Sequence, residues 1–133
     1  MISEELEVDT RGRRLVDLTE SLLRFCSGRG SGLAHAFVPH ATCALVLLET
    51  GAGSEQDLLA RLEQLLPRDA PYQHRHGSPG HGADHLLPAL LGCSVTVPVG
   101  NGIALLGTWQ RLVLVDTNRE NNLRRVRLSF LPG

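Results

Sequence analysis

Hydrophobic periodicity divides the chain into short strands interrupted by two or three helices. Residues 2–8, Ile-Ser-Glu-Glu-Leu-Glu-Val, roughly alternate as a half-buried strand does. Thr10-Arg11-Gly12-Arg13 reads as a hairpin turn, with residues 14–17 as its return strand. Thr19 is the expected N-cap of a short helix through Leu22, Leu23 and Cys26 that ends at Gly28 or Gly30. Residues 32–38 form an apolar run broken by Pro39-His40-Ala41-Thr42. Residues 43–49 are apolar again, with a length that suits a buried strand. Ser54 is the expected cap of a clear helix, because Leu58, Leu59, Leu62, Leu65 and Leu66 recur at helical spacing until Pro67 stops them.

Residues 67–83 are rich in proline and glycine and poor in aliphatics, a loop long enough to suggest function. Asp84 is the expected cap of a short helix through Leu91 that Gly92 ends. Residues 93–99 alternate as a strand, Asn101-Gly102 is a strong hairpin signal, and residues 103–106 pair back. Residues 111–116 and 124–130 are the last strands, joined by a polar turn over 117–122. The pattern predicts one α+β domain over residues 1–133 with a largely antiparallel sheet.

Composition narrows the function. The 13 basic residues are all arginine, and against 14 acidic ones they leave a net charge of -1. That balance argues against nucleic-acid binding by phosphate neutralisation. The absence of lysine excludes a Schiff-base lysine and a P-loop. No apolar run reaches the roughly 18–20 residues of a membrane helix, and the acidic start lacks the order of a signal peptide. Cys26, Cys43 and Cys93 are far apart and form no CxxC pair. They read as free thiols of a reducing compartment, so the expected location is cytoplasmic.

Histidines carry the strongest candidate chemistry. His40 follows a strand end, His74 opens the glycine-rich loop and His85 lies at the start of the helix beyond it. Imidazoles from three segments can converge on a divalent cation, although no HExxH or paired CxxC spacing is present. The plainer alternative is a polar loop carrying surface histidines. Glu49 ends an otherwise apolar strand and reads as a general base, a ligand or an edge residue facing water. Asp57 sits in a helical first turn, where the dipole alone explains an acid. Gln110, beside Trp109, offers donor and acceptor to a ligand, while Trp109 itself suits either a packed indole or an aromatic wall. Arg124 and Arg125 point to opposite strand faces, as phosphate ligands or as solvated edge charge. The apolar neighbours of Cys43 argue against a Cys–His nucleophile.

Several short motifs together resemble the YjbQ family. They are His40-Ala41-Thr42-Cys43-Ala44-Leu45, Glu49, Tyr72-Gln73-His74, His85-Leu86, Gly107-Thr108-Trp109-Gln110 and Arg124-Arg125, with Thr10-Arg11-Gly12 before them. The resemblance covers nearly the whole chain. It implies a small α+β protein with a mostly antiparallel or mixed β-sandwich core, a homotrimer as its partner state, and a weak thiamine-phosphate synthase side activity. That reaction joins hydroxymethylpyrimidine diphosphate to a thiazole phosphate. By motif, His40, His74 and His85 fall on the family's pocket histidines and are the expected metal ligands. Glu49, Asp57 and Gln110 are the expected catalytic groups, and Arg124 and Arg125 the expected phosphate ligands. The implied cofactor is a divalent metal, zinc or magnesium, and the implied ligand a small phosphorylated metabolite.

The chain departs from the family pattern between His74 and His85. The stretch is usually acidic there, but here it reads Arg75-His76-Gly77-Ser78-Pro79-Gly80-His81-Gly82-Ala83. Loss of acids and gain of His76 and His81 favour a softer ion such as zinc over magnesium. Two classes of function stand: a transferase in which metal, arginine or imidazolium neutralises departing diphosphate, and a non-catalytic metal- or metabolite-binding protein.

Overall fold

In the computed structural model, which describes residues 1–133, every strand pairing is antiparallel. The strands are β1 (Ile2–Asp9), β2 (Leu15–Asp17), β3 (Gly32–Phe37), β4 (Cys43–Leu48), β5 (Ser94–Gly100), β6 (Ile103–Ala104), β7 (Arg111–Asp116) and β8 (Leu123–Pro132). The helices are α1 (Thr19–Cys26), α2 (Ser54–Leu65) and α3 (His81–Leu91). One sheet has the order β1-β8-β3-β5-β6 and the other β2-β7-β4. The main core lies between them and holds Leu22 and Phe25 of α1, Leu45, Leu112, Leu114, Val126, Leu128 and Phe130. A second, smaller core on the far side of the three-stranded sheet joins Ala44 and Val115 to Leu62 of α2 and Leu87 of α3.

That arrangement explains two kinds of strand. β8 alternates buried and exposed residues because one face meets the core and the other meets water. β4 and β7 are apolar without alternation because both faces are covered, one by the opposing sheet and one by helices. Asn101 and Gly102 take φ of 51° and 77°, the left-handed pair that a two-residue type I′ hairpin requires.

Four local expectations are corrected. Residues 10–13 do not close a hairpin: β1 pairs with β8, and the chain crosses so that β2 pairs with β7 in the other sheet. Residues 103–106 pair back only as Ile103–Ala104. Thr19 and Ser54 are first helical residues rather than caps. The Thr19 hydroxyl accepts from the Leu112 amide, while Ser54 donates to Glu49. Finally, β8 is an interior strand between β1 and β3, so its arginines do not guard a sheet edge.

The polar turn between β7 and β8 also crosses between sheets, and a buried ion pair closes it. Arg124 is 3% exposed. Its Nε donates to Asp116 Oδ2 at 2.8 Å, and its Nη2 donates to Asp116 Oδ1 at 3.1 Å and to Thr42 Oγ1 at 2.9 Å. Thr10 Oγ1 donates to the same carboxylate at 2.9 Å, and the Asn118 amide does so at 3.0 Å. The ends of β1, β7 and β8 and the turn before β4 therefore meet at one desolvated charge. Replacing Arg124 with leucine leaves Asp116 buried without its counter-ion. The expected cost is about 3–5 kcal/mol, read as a lowered urea midpoint. A shift below about 1 kcal/mol, the range of exposed pairs, would show that Asp116 is solvated instead.

Candidate functional site

The site forms where α3 meets the loop over residues 67–80. α3 begins at His81 rather than at Asp84, so His81 and His85 stand four residues apart on one helical face. Their rings are parallel within 5°, with centroids 4.7 Å apart. Asp84 caps nothing. It is fully buried and accepts from Arg68 Nη1 at 2.7 Å, Arg68 Nη2 at 3.2 Å, Thr117 Oγ1 at 2.8 Å and Asn118 Nδ2 at 3.1 Å. Gly80, at φ 88°, starts the helix in the left-handed region against the Arg68 side chain, where a Cβ would collide. Arg68 thus fastens the loop to α3, and Tyr72 adds a bond from its hydroxyl to the Pro67 carbonyl at 2.7 Å.

The loop then brings His74 back onto the helix. Its centroid is 4.4 Å from His85, 4.9 Å from His81 and 3.9 Å from His76. One ligand atom from each of His74, His81 and His85 lies within 4.8 Å of the others, and all three residues are half-buried. Around a tetrahedral zinc with bonds of about 2.0–2.1 Å, such nitrogens stand roughly 3.3 Å apart. A contraction of at most about 1.5 Å therefore closes the trio on an ion. Glu120 Oε1 accepts from His81 Nδ1 at 3.1 Å and also from the Ser78 amide. This fixes the His81 tautomer and leaves Nε2 with its lone pair, the carboxylate–histidine pairing common behind metal ligands. His74 Nδ1 is buried and has no hydrogen-bond partner, a cost that a bound cation removes. The residues fit a soft divalent ion.

The electrostatics of His74 favour its neutral ring. Burial lowers the His74 pKa below the usual histidine value, and the neighbouring His76, His85 and His81 lower it further. Glu120 is held below the usual carboxylate range by its Ser78 and His81 contacts. A polar cleft of about 550 Å³ adjoins the cluster, lined by Arg75, Tyr72, His74, His76 and His81 among others.

The other expected site residues are spread around the fold. His40 lines a separate groove of about 460 Å³ that it shares with His85, Phe37 and Cys93. Its Nε2 accepts from the Arg125 amide at 3.0 Å, and burial with Arg124 and Arg125 lowers its pKa. Glu49 is exposed at the end of β4 and accepts from Ser54 Oγ at 3.3 Å. Asp57 lies in the first turn of α2, on another element from the histidines. Gln110 closes its own turn, Oε1 accepting from the Gly107 amide at 2.8 Å, and Trp109 is 71% exposed rather than packed. Arg124 is committed to Asp116, and Arg125 is exposed beside Glu5 at 3.9 Å. Burial pushes the Cys43 thiol up to about 12, with Asp116 adding to it, so it is not a nucleophile. Sequence reasoning raised His81 only as one of two histidines gained in the altered loop, and it did not assign Glu120. The four-residue step from His81 to His85 carried the signal for the first; nothing local marked the second.

A family model described as UPF0047 protein YjbQ-like matches residues 4–133. The UPF0047 protein Rv2556c of Mycobacterium tuberculosis (strain ATCC 25618 / H37Rv) is 57% identical over 133 residues, covering 100% of both chains. Among solved structures, a YbjQ-like protein of unknown function from Sulfolobus solfataricus P2 superposes with a TM-score of 0.91 at 26% identity, covering 99% of this chain and 97% of its own. The conserved hypothetical protein TT1486 from Thermus thermophilus gives 0.83 at 35% identity, covering 96% and 99%.

The lowered pKa values of His74 and His40 set a pH dependence for the metal-free protein. The unfolded chain binds protons on these rings at about pH 6.5, before the folded protein does. Their stabilising contribution is complete above that value and is lost as pH falls through the lower folded values. The urea midpoint of metal-free protein should therefore drop between about pH 7 and pH 5, and drop less in His74→Gln. An identical pH profile for both proteins would contradict the assignment.

Proposed function

The chain belongs to the UPF0047 (YjbQ-like) family, and from that premise and its site geometry we propose that it is a divalent-cation protein. His74, His81 and His85 would hold the ion beside the adjoining cleft, where it would supply positive charge to a phosphorylated small molecule. The observation that carries this reading is the buried, partnerless His74 Nδ1 within a converging imidazole trio. An all-nitrogen donor set selects zinc-like ions over magnesium, which prefers oxygen. When bound, the ion supplies positive charge for a phosphate oxygen.

The chain's own contribution is positional. Glu120 holds the His81 proton on Nδ1, and Asp84, with Arg68, holds the loop against α3. Arg75 lines the cleft and makes no ion pair, which leaves its guanidinium to meet an anionic group. The same cation and arginine support the second reading, a thiamine-phosphate synthase-like transfer in which departing diphosphate is neutralised. Binding is the better-supported function. Glu49, Asp57 and Gln110 all sit on other elements, and the one carboxylate at the cluster, Glu120, is already bonded to His81 and Ser78.

Protein purified without chelator is expected to carry close to one zinc per chain by elemental analysis. The variants His74→Ala and His85→Ala should each lose most of it while keeping the far-UV circular dichroism of the parent. Equal metal in parent and variants would reject this site.

A further inference from the structure

The imidazole trio supplies three ligands, whereas zinc bound by nitrogen and sulfur takes four. A fourth imidazole stands beside it. The His76 ring lies 3.9 Å from His74 and 5.6 Å, edge-on, from His81. Four imidazoles arranged tetrahedrally on one zinc have centroids about 5 Å apart, and the His76 ring brackets that spacing, nearer than it to His74 and slightly beyond it from His81. His76 makes no hydrogen bond, and unlike the trio it is exposed.

His76 lies on a stretch without backbone–backbone hydrogen bonds, whereas His81 and His85 stand on α3. The loop is fastened at one end by the Arg68–Asp84 pair and at the other by the Ser78–Glu120 bond. Between those anchors, residues 73–77 make no backbone–backbone hydrogen bond. Gly77 follows His76 at φ 86°, a conformation that turns the chain back over His81, and it packs so closely on that ring that any Cβ would collide with it. A histidine on an arc tethered at both ends, beside His74 and His81, reaches the fourth position by a change of its own rotamer.

Resting on the metal reading above, we propose that His76 is a fourth, displaceable metal ligand. It completes a closed four-imidazole site in the resting protein and yields its position when an anionic ligand enters from the Arg75 side of the cleft. The protein thereby holds its ion without solvent access until the ligand arrives. The His76 side chain alternates between the two states by rotating about its own torsions, while His74, His81 and His85 stay in place in both.

The test uses full-length protein freed of metal and loaded with cobalt(II), whose visible absorption reports coordination number, together with zinc affinity by chelator competition. Parent protein should show the intense bands of a four-coordinate site. His76→Ala should weaken zinc binding at least about tenfold and reduce band intensity as water enters. His76→Cys should restore affinity and add a thiolate-to-cobalt charge-transfer band that the parent lacks. His35→Ala, on the distant β3, should change nothing. If His76→Ala matches the parent in affinity and spectrum, or if His76→Cys adds no such band, the fourth-ligand proposal falls and the three-histidine site stands. If the parent takes up neither cobalt nor zinc, the metal reading itself falls.

Discussion

Two buried carboxylates organise this molecule. Asp84 and Asp116 are almost wholly removed from water, each within a cage of donors. A charge so placed is tolerable only while every partner is present, because an unpaired ion in the interior costs more than the attraction returns. Asn118 joins the two cages, its amide bonded to Asp116 and its side chain to Asp84. The crossing ends of β1, β7 and β8, the turn before β4, the start of α3 and the loop after α2 therefore share one polar spine.

The histidine cluster inherits its geometry from that spine. The crossover turn over residues 117–122 does two things at once. Thr117 and Asn118 saturate Asp84 beneath α3, and Glu120 reaches past the helix to orient His81 and tie down Ser78. The helix face that carries His81 and His85 is thus fixed from behind, and the loop that carries His74 is fixed at both ends. Two donors on a rigid helix, with His74 on a loop pinned at both ends, suit an ion that must be retained.

Much of the fold was legible locally. Alternation in residues 2–8, the two-sided apolar run of residues 43–48 and the Asn101-Gly102 turn each depend on near neighbours, and each appears as expected. Expectations failed where partners lie far apart in sequence. Asp84 looked like a helix cap because a free acid before an apolar run has that use. Arg68, sixteen residues earlier, draws it inside instead, and the helix starts a turn sooner. Arg124 looked like surface charge until Asp116 and Thr42 claimed it. The turn at residues 10–13 has hairpin composition, but β1 finds a longer partner in β8 and releases β2 to the other sheet.

The sequence by itself determined the strand and helix content, the all-arginine basic set without lysine, the inert character of Cys43 and the concentration of histidines in one glycine-rich stretch. These follow from residue type and from periodicities of a few positions. Only the tertiary structure decided which histidines converge. His74, His81 and His85 share one centre, whereas His40 faces a neighbouring groove. Convergence depends on how a loop is pinned, and the pins are ion pairs and hydrogen bonds between residues 16 to 42 positions apart. No local pattern encodes a contact of that kind.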